Sequence, residues 1–281
     1  MEGPDNSNTA PKEVISAEEK TRLNSEIVAQ GATVTNVPVT DQRSFYDLRA
    51  SIYDQQNAFA ERRQRQETMD DFYHQELRKI LAGKNLSYLD FGCGTGTHTA
   101  RFLEGLKEYA SVEKSYAVDI SDEMVKLAKG RLAGFTVVQG SAEKLVEIKL
   151  DLATSFFHVL CHLTEAELEL FFKNVSTALN PGGVLCFDVI KRFDVGERGF
   201  TEEHERKGEK YLLYHSIKPD GSKVVGIDGQ PVIGTDRMFT KEEIVDFAQR
   251  NDLEVVEIKE FFVGKKENIR DYAVILRKPE V

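Results

Sequence analysis

Between residues 87 and 190, short apolar runs rich in β-branched and aromatic residues alternate with stretches whose apolar positions recur every three or four residues. The short runs predict strands at 87–91, 116–120, 135–139, 151–156 and 184–190. The longer period predicts helices between them. After Gly96, Thr99, Phe102, Leu103, Leu106 and Ala110 fall on one helical face, and after Ser121 Met124, Leu127, Ala128 and Leu132 do the same. Thr164 and Glu167 spell a capping box, followed by the stripe Leu168, Phe171, Phe172, Val175 and Ala178, which Asn180-Pro181-Gly182-Gly183 brings to a stop. Strand and helix in alternation predict a mostly parallel sheet wound with helices.

Two segments stand outside this rhythm and are expected to form caps: residues 1 to about 85 and about 191 to 238. The first carries a helix start at Ser16 with Glu19, and a second helix with the stripe Met69, Phe72, Tyr73, Leu77, Ile80 and Leu81 before Gly83. In the second, runs at 211–217 and 223–227 are joined by Lys218-Pro219-Asp220-Gly221, a hairpin signal. The chain closes with a Thr240–Glu243 capping box, a helix to about Arg250, and strands at 254–262 and 271–276, suited to an antiparallel sheet edge. The domain reading is therefore a disordered leader and cap helix over 1–40, N-terminal lid helices over 41–85, and a core over 86–281 with a cap inserted at 191–238.

Composition narrows the function classes. A net charge of −10 is the wrong sign for gripping phosphate backbones, so nucleic acid is not expected as a partner. No apolar run approaches the ~18 residues of a membrane span, and residues 1–14 lack the basic start and apolar core of a secretory signal. A cytoplasmic protein with no membrane partner is the expectation. Cys93, Cys161 and Cys186 are widely spaced and predict neither a disulfide framework nor a metal site.

The densest chemical signal is Asp90-Phe91-Gly92-Cys93-Gly94-Thr95-Gly96, a strand that runs into a glycine turn and opens a helix. Glycines there tolerate positive φ and let a ligand approach the main chain at the carboxyl edge of the sheet. A dinucleotide fingerprint needs a glycine three beyond Gly94, where Thr97 stands, so a nicotinamide oxidoreductase is the weaker reading. The spacing instead resembles the first motif of the class I S-adenosylmethionine-dependent methyltransferases, and the resemblance extends over roughly Tyr46 to Leu276. It implies a Rossmann-like, doubly wound seven-stranded α/β fold with an N-terminal helical cap and an inserted β-hairpin cap. It implies S-adenosyl-L-methionine as cofactor, with Asp90, Gly92, Cys93 and Gly94 around its methionine part.

Asp119, at the end of the second strand, would accept the ribose hydroxyls, with Ile120 and Met124 beside the adenine; its plainer role would be to favour the following helix N-terminus. Gly140-Ser141-Ala142-Glu143 is similar to the family's Gly-Asp-Ala-Glu segment over the adenine, with Ser141 in place of the Asp; this is the one hint toward a catalytically silent cofactor-binding protein. Tyr46-Asp47-Leu48-Arg49-Ala50-Ser51-Ile52-Tyr53-Asp54 fits a pattern that precedes the core in many relatives, and implies Tyr53 over cofactor or substrate. Of Arg62, Arg63 and Arg65, Arg63 or Arg65 would meet the cofactor carboxylate, or form a solvated basic face.

After the fourth strand, Phe156 and Phe157 would lie beside the cofactor, and His158 and His162 would line the acceptor pocket, in a stretch that looks like the corresponding part of glycine N-methyltransferase. The alternative for both histidines is a structural role beneath the cap; a metal would need a third ligand that no spacing supplies. A histidine tuned near neutrality would serve a hydroxyl acceptor, whereas an amine needs orientation alone. The acceptor is expected to be a small molecule, with its identity and the oligomeric state left open.

Overall fold

The computed structural model describes residues 42–57, 60–145, 148–191, 198–206, 209–217, 223–227, 230–262 and 270–280. The helix start read at Ser16 lies outside them.

Seven strands form one sheet. They are β1 (Asn85–Phe91), β2 (Ser111–Asp119), β3 (Thr136–Gln139), β4 (Leu150–Ser155), β5 (Leu179–Ile190), β10 (Glu254–Phe262) and β11 (Arg270–Arg277), in the order β10-β11-β5-β4-β1-β2-β3. The pairs β1–β2, β1–β4, β2–β3 and β4–β5 are parallel, while β11 lies antiparallel to both β5 and β10. The strand order reverses between β1 and β4, which opens a crevice at their carboxyl ends where wound sheets receive ligands.

The helices are α1 (Gln42–Asn57), α2 (Ala60–Leu81), α3 (Thr97–Leu106), α4 (Asp122–Arg131), α5 (Glu165–Ala178) and α6 (Lys241–Arg250). Both expected capping boxes are present, at Thr164–Glu167 and Thr240–Glu243. The period of two in β5 separates the two faces of the sheet. Val184 and Cys186 join the buried cluster of Met69, Tyr73 and Leu77 from α2 and Phe102 and Leu106 from α3, whereas Phe187 meets Phe172 of α5. Each such fully buried side chain contributes roughly 1.5–3 kcal/mol by leaving water.

Most strand bounds fall within two residues of expectation, and the starts of β2 and β5 differ more. β2 starts at Ser111, well before 116, because its polar first half pairs with β1 from Asn85 onward. β5 starts at Leu179 and runs through Asn180–Gly183, since Leu179 already pairs with Leu150.

A separate compact unit includes residues 195–232. It contains β6 (Arg198–Arg206), β7 (Glu209–Ile217) and β8 (Lys223–Ile227), and β9 (Gln230–Asp236) completes a four-stranded sheet in sequential order. The expected hairpin is the β7–β8 pair, with Ile217 opposite Lys223. β6 and β9, on either side of it, were not anticipated. Among the described residues no helix is long and apolar enough to cross a membrane.

Candidate active site

From β1 the chain turns through Gly92, Gly94 and Gly96, with φ of 78°, 53° and 77°. The N–H groups of Gly92 and Cys93 donate to the Val118 carbonyl at 2.7 and 3.1 Å, binding the turn to β2. A Cβ on Gly92 would lie 2.4 Å from Val159 Cγ2, whereas one on Gly94 would find nothing nearer than Tyr53 Cε1 at 3.7 Å. The turn is therefore closed at Gly92 and open at Gly94. Asp90, buried beneath it, accepts from the hydroxyls of Thr99 (2.5 Å) and Thr154 (2.8 Å), and burial pushes its carboxyl up in spite of them. Asp119 accepts from the N–H of Gly94 (2.8 Å) and of Ser121 (2.9 Å). Its burial outweighs these two donors and raises its pKa to about 6. Each carboxylate oxygen keeps a lone pair.

α1 fastens onto two of these loops through residues seven apart. Asp54 accepts from Thr95 (2.6 Å) and Thr97 (2.9 Å) in the glycine turn and pairs with Arg131 (3.0 Å). Asp47 accepts from the Ser121 hydroxyl and from the Glu123 N–H (3.2 Å) at the start of α4. Tyr46, just before Asp47, and Gln42, one turn earlier, place Oη and Nε2 at 2.8 and 3.4 Å from the two ring nitrogens of His162.

Two cavities result. The larger, about 560 Å³, is bordered by Asp119, Ile120, Met124, Gln139 and Ser141 and by Tyr46, His162 and Glu167. The smaller, about 260 Å³, is bordered by Asp90, Cys93, Thr95, Phe156, Arg63, Gln66, His98 and Arg101. Tyr53, Gly92, Gly94 and Phe157 border both. In the smaller cavity Gln66 is buried, its Nε2 lies 3.0 Å from Asp70 and 2.8 Å from His98, and its Oε1 has no partner among the described residues. Burial pushes the Asp70 carboxyl up, but His98 and Arg101 outweigh it and hold it below its ordinary range.

The methyltransferase-domain family matches residues 89–183, which span β1 to β5 and all of the loops just described. An uncharacterized methyltransferase of Oceanobacillus iheyensis is 28% identical over 196 residues, 66% of this chain and 82% of that one. This chain carries a methyltransferase domain at residues 89–183.

The sheet of this methyltransferase is shared with the CcbJ methyltransferase of Streptomyces caelestis (TM-score 0.60, 18% identity, 84% of this chain and 98% of that one). It is shared also with the 1,6-didemethyltoxoflavin-N1-methyltransferase of Burkholderia thailandensis, determined with 1,6-didemethyltoxoflavin and S-adenosylhomocysteine bound (TM-score 0.54, 20% identity, 96% and 92%). At these identities the likeness is one of fold. The cofactor of the methyltransferase is S-adenosylmethionine, and the residues around the two cavities suit it. An open cradle at Gly94 lies beside an unpartnered buried acceptor on Gln66, with a buried carboxylate at Asp119 on the other side.

Most of the expected residues border these cavities, and three do not. Ala142 lies behind Ser141, buried, its carbonyl accepting from Asn174 at 3.0 Å. Arg65 borders neither cavity: its guanidinium is held by Asp188 (3.2 Å), by Asp271 and by His158 (2.8 Å). Burial opposes its charge, yet the two carboxylates raise its pKa above the usual value. Of the two arginines only Arg63 reaches the smaller cavity, and the side chain of Arg62 lies outside the described residues. His158 likewise borders neither cavity, because its backbone turns the ring away.

Phe157 and His158 both have φ of 62°, a left-handed conformation that costs an L-residue roughly 1–2 kcal/mol. The His158 N–H donates to Asp188 at 3.1 Å, and its ring stands 3.1 Å from Asp271. The two histidines thus do not share a helical face, and His158 gathers with Asp188 and Asp271 instead. That grouping, and the docking of Asp47 and Asp54, went unseen in the sequence. The seven-residue spacing of Tyr46-Asp47 and Tyr53-Asp54 was the available signal for the second, since it sets both aspartates on one face of α1.

Proposed function

We propose that the methyltransferase moves a methyl group from S-adenosylmethionine to a nitrogen or oxygen nucleophile on a small molecule. The adenosine part of the cofactor lies in the larger cavity and the methionine part in the smaller. The observation that carries this reading is the pair of cavities meeting at Tyr53, Gly92, Gly94 and Phe157, with Asp119 in the first and Gln66 and Arg63 in the second. The bound cofactor supplies an electrophilic methyl on a cationic sulfur.

Asp119, charged above pH about 6, accepts the ribose hydroxyls with its remaining lone pairs. Arg63 faces the carboxylate end, while Asp90 holds the turn from below. Ile120, Met124 and Ser141 border the adenine side. Also bordering the larger cavity, His162, kept in place by Tyr46 and Gln42, orients the acceptor and, when the acceptor is a hydroxyl, receives its proton at Nε2 through the Tyr46 hydroxyl. The net charge of −10 favours a small acceptor over a nucleic acid, and the Burkholderia enzyme of like fold is a 1,6-didemethyltoxoflavin-N1-methyltransferase.

The reading is tested by titrating S-adenosylhomocysteine into the protein and by screening amines, phenols, thiols and carboxylic acids with methyl-labelled cofactor. Absence of both calorimetric heat and thermal protection with either cofactor form, together with protection by NAD, overturns it. His162→Ala is expected to lower turnover of a hydroxyl acceptor ~10²- to 10⁴-fold, or mainly to raise KM for an amine.

A further inference from the structure

Four side chains from four parts of the chain meet in a buried cluster that the proposed reaction does not use. Asp188 on β5 and Asp271 on β11 are fully buried. Their common face follows from register: Asp271 is paired with Ile190, and residues 188 and 190 point to the same side of a strand. His158 Nε2 and one oxygen of each carboxylate all lie within 4.8 Å of one another, an arrangement able to hold a divalent cation. What stands among them is Arg65 Nη2, 2.8 Å from His158 Nε2, 3.2 Å from Asp188 Oδ2 and in contact with Asp271 Oδ2. The guanidinium is the resident cation, and α2 delivers it.

His158 is consequently held twice, by its backbone N–H on Asp188 and by its ring against Arg65 and Asp271. Its predecessor is left-handed too, and two consecutive non-glycine residues with φ of 62° persist only where their surroundings over-determine them. That predecessor, Phe157, borders both cavities, as does Tyr53, whose Cε1 lies 3.7 Å from where a Cβ on Gly94 would stand. If adenosine and methionine occupy the two cavities, the sulfur joining them lies at this aromatic junction.

We infer that Arg65, His158, Asp188 and Asp271 are positioning residues that hold Phe157 in its left-handed conformation, so that Phe157 and Tyr53 favour the cationic sulfonium cofactor over its neutral demethylated product. The inference rests on the proposed function. An aromatic face attracts a cation and has no such attraction for a neutral thioether. Loss of the methyl group therefore loosens the cofactor at the junction while the ribose and methionine contacts persist.

The test is calorimetric and needs no acceptor. Dissociation constants of S-adenosylmethionine, S-adenosylhomocysteine and sinefungin, whose ammonium stands in for the charged centre, are measured for the full chain. The wild type is expected to bind the two cations more tightly than the neutral product. Phe157→Leu should shrink that preference roughly 2- to 30-fold. Arg65→Met should shrink it in the same direction with product affinity held within about threefold, and Arg65→Lys should restore part of it.

Equal losses for all three ligands in Arg65→Met would show a merely structural role and overturn the inference, as would an unchanged preference in Phe157→Leu. Should Arg65→Met fail to fold, Phe157→Leu and Arg65→Lys decide alone. Failure of the wild type to bind any of the three overturns the proposed function itself, whereas equal binding of all three overturns this inference only.

Discussion

Burial raises the Asp119 carboxyl to about 6 against an ordinary 3.8, within reach of ordinary buffers. The sign follows from linkage. A carboxyl raised in the folded state contributes stability that is present below about pH 4 and lost as pH rises through about 6. Ribose hydroxyls need the charged form, so S-adenosylhomocysteine affinity should fall as pH drops below about 6. Asp119→Asn should flatten that dependence and weaken binding by about 1.5–3 kcal/mol; calorimetry between pH 5 and 8 checks both. Asp271 has the opposite sign. Burial pushes it up, but His158 and Arg65 outweigh burial and hold it below 3.8, so its contribution is present above about pH 4 and lost as pH falls through its lower folded value. Asp271→Asn leaves Arg65 without its strongest partner and should cost about 3–5 kcal/mol in urea unfolding at pH 7. The sequence could show that each of these residues was acidic. That Asp271 would meet Arg65, 206 positions away, is a product of strand order and register, which no local spacing encodes.

At the scale of elements the two loop glycines make a contrast. Gly92→Ala drives a methyl group into Val159 on a backbone at φ 78° and should destabilise the fold by more than 1 kcal/mol. Gly94→Ala meets open space at φ 53° and should keep most of the stability while losing cofactor affinity; urea unfolding and calorimetry on the pair separate the two effects. The helices with local start signals were legible: both capping boxes, at Thr164 and at Thr240, are where the sequence places them, and β10 has the expected bounds. Thr164→Ala should cost about 1 kcal/mol. Elements set by long-range pairing were less legible, as the early starts of β2 and β5 show. His158 and His162 are four apart in sequence, but the left-handed conformation of Phe157 and His158 interrupts any helical phase between them. α1 depends on phase in the same way: one residue inserted between Asp47 and Tyr53 would rotate the second Tyr-Asp pair by about 100° and release it from the glycine turn.

For the whole molecule the decisive feature is the reversal of strand order between β1 and β4, which brings the glycine turn, Asp119 and the loop after β4 to one edge. The sheet that carries this edge is interrupted between β5 and α6 by the excursion that contains β6 to β9. The excursion leaves and returns at one point, because Lys191 bridges Phe239 and the Phe239 N–H donates to the Ile190 carbonyl at 2.9 Å. Replacing residues 192–236 by a short Gly-Ser bridge should therefore leave a cooperatively unfolding core that still binds S-adenosylhomocysteine; a molten product without a thermal transition would contradict this. The bridge between residues 191 and 239 acts as a socket. Doubling the length of what is plugged into it changes the closure entropy by only ~0.6 kcal/mol. Descendants of this chain can therefore splice one excursion for another, in steps that selection sees separately, while the pairing that folds the catalytic sheet is inherited untouched.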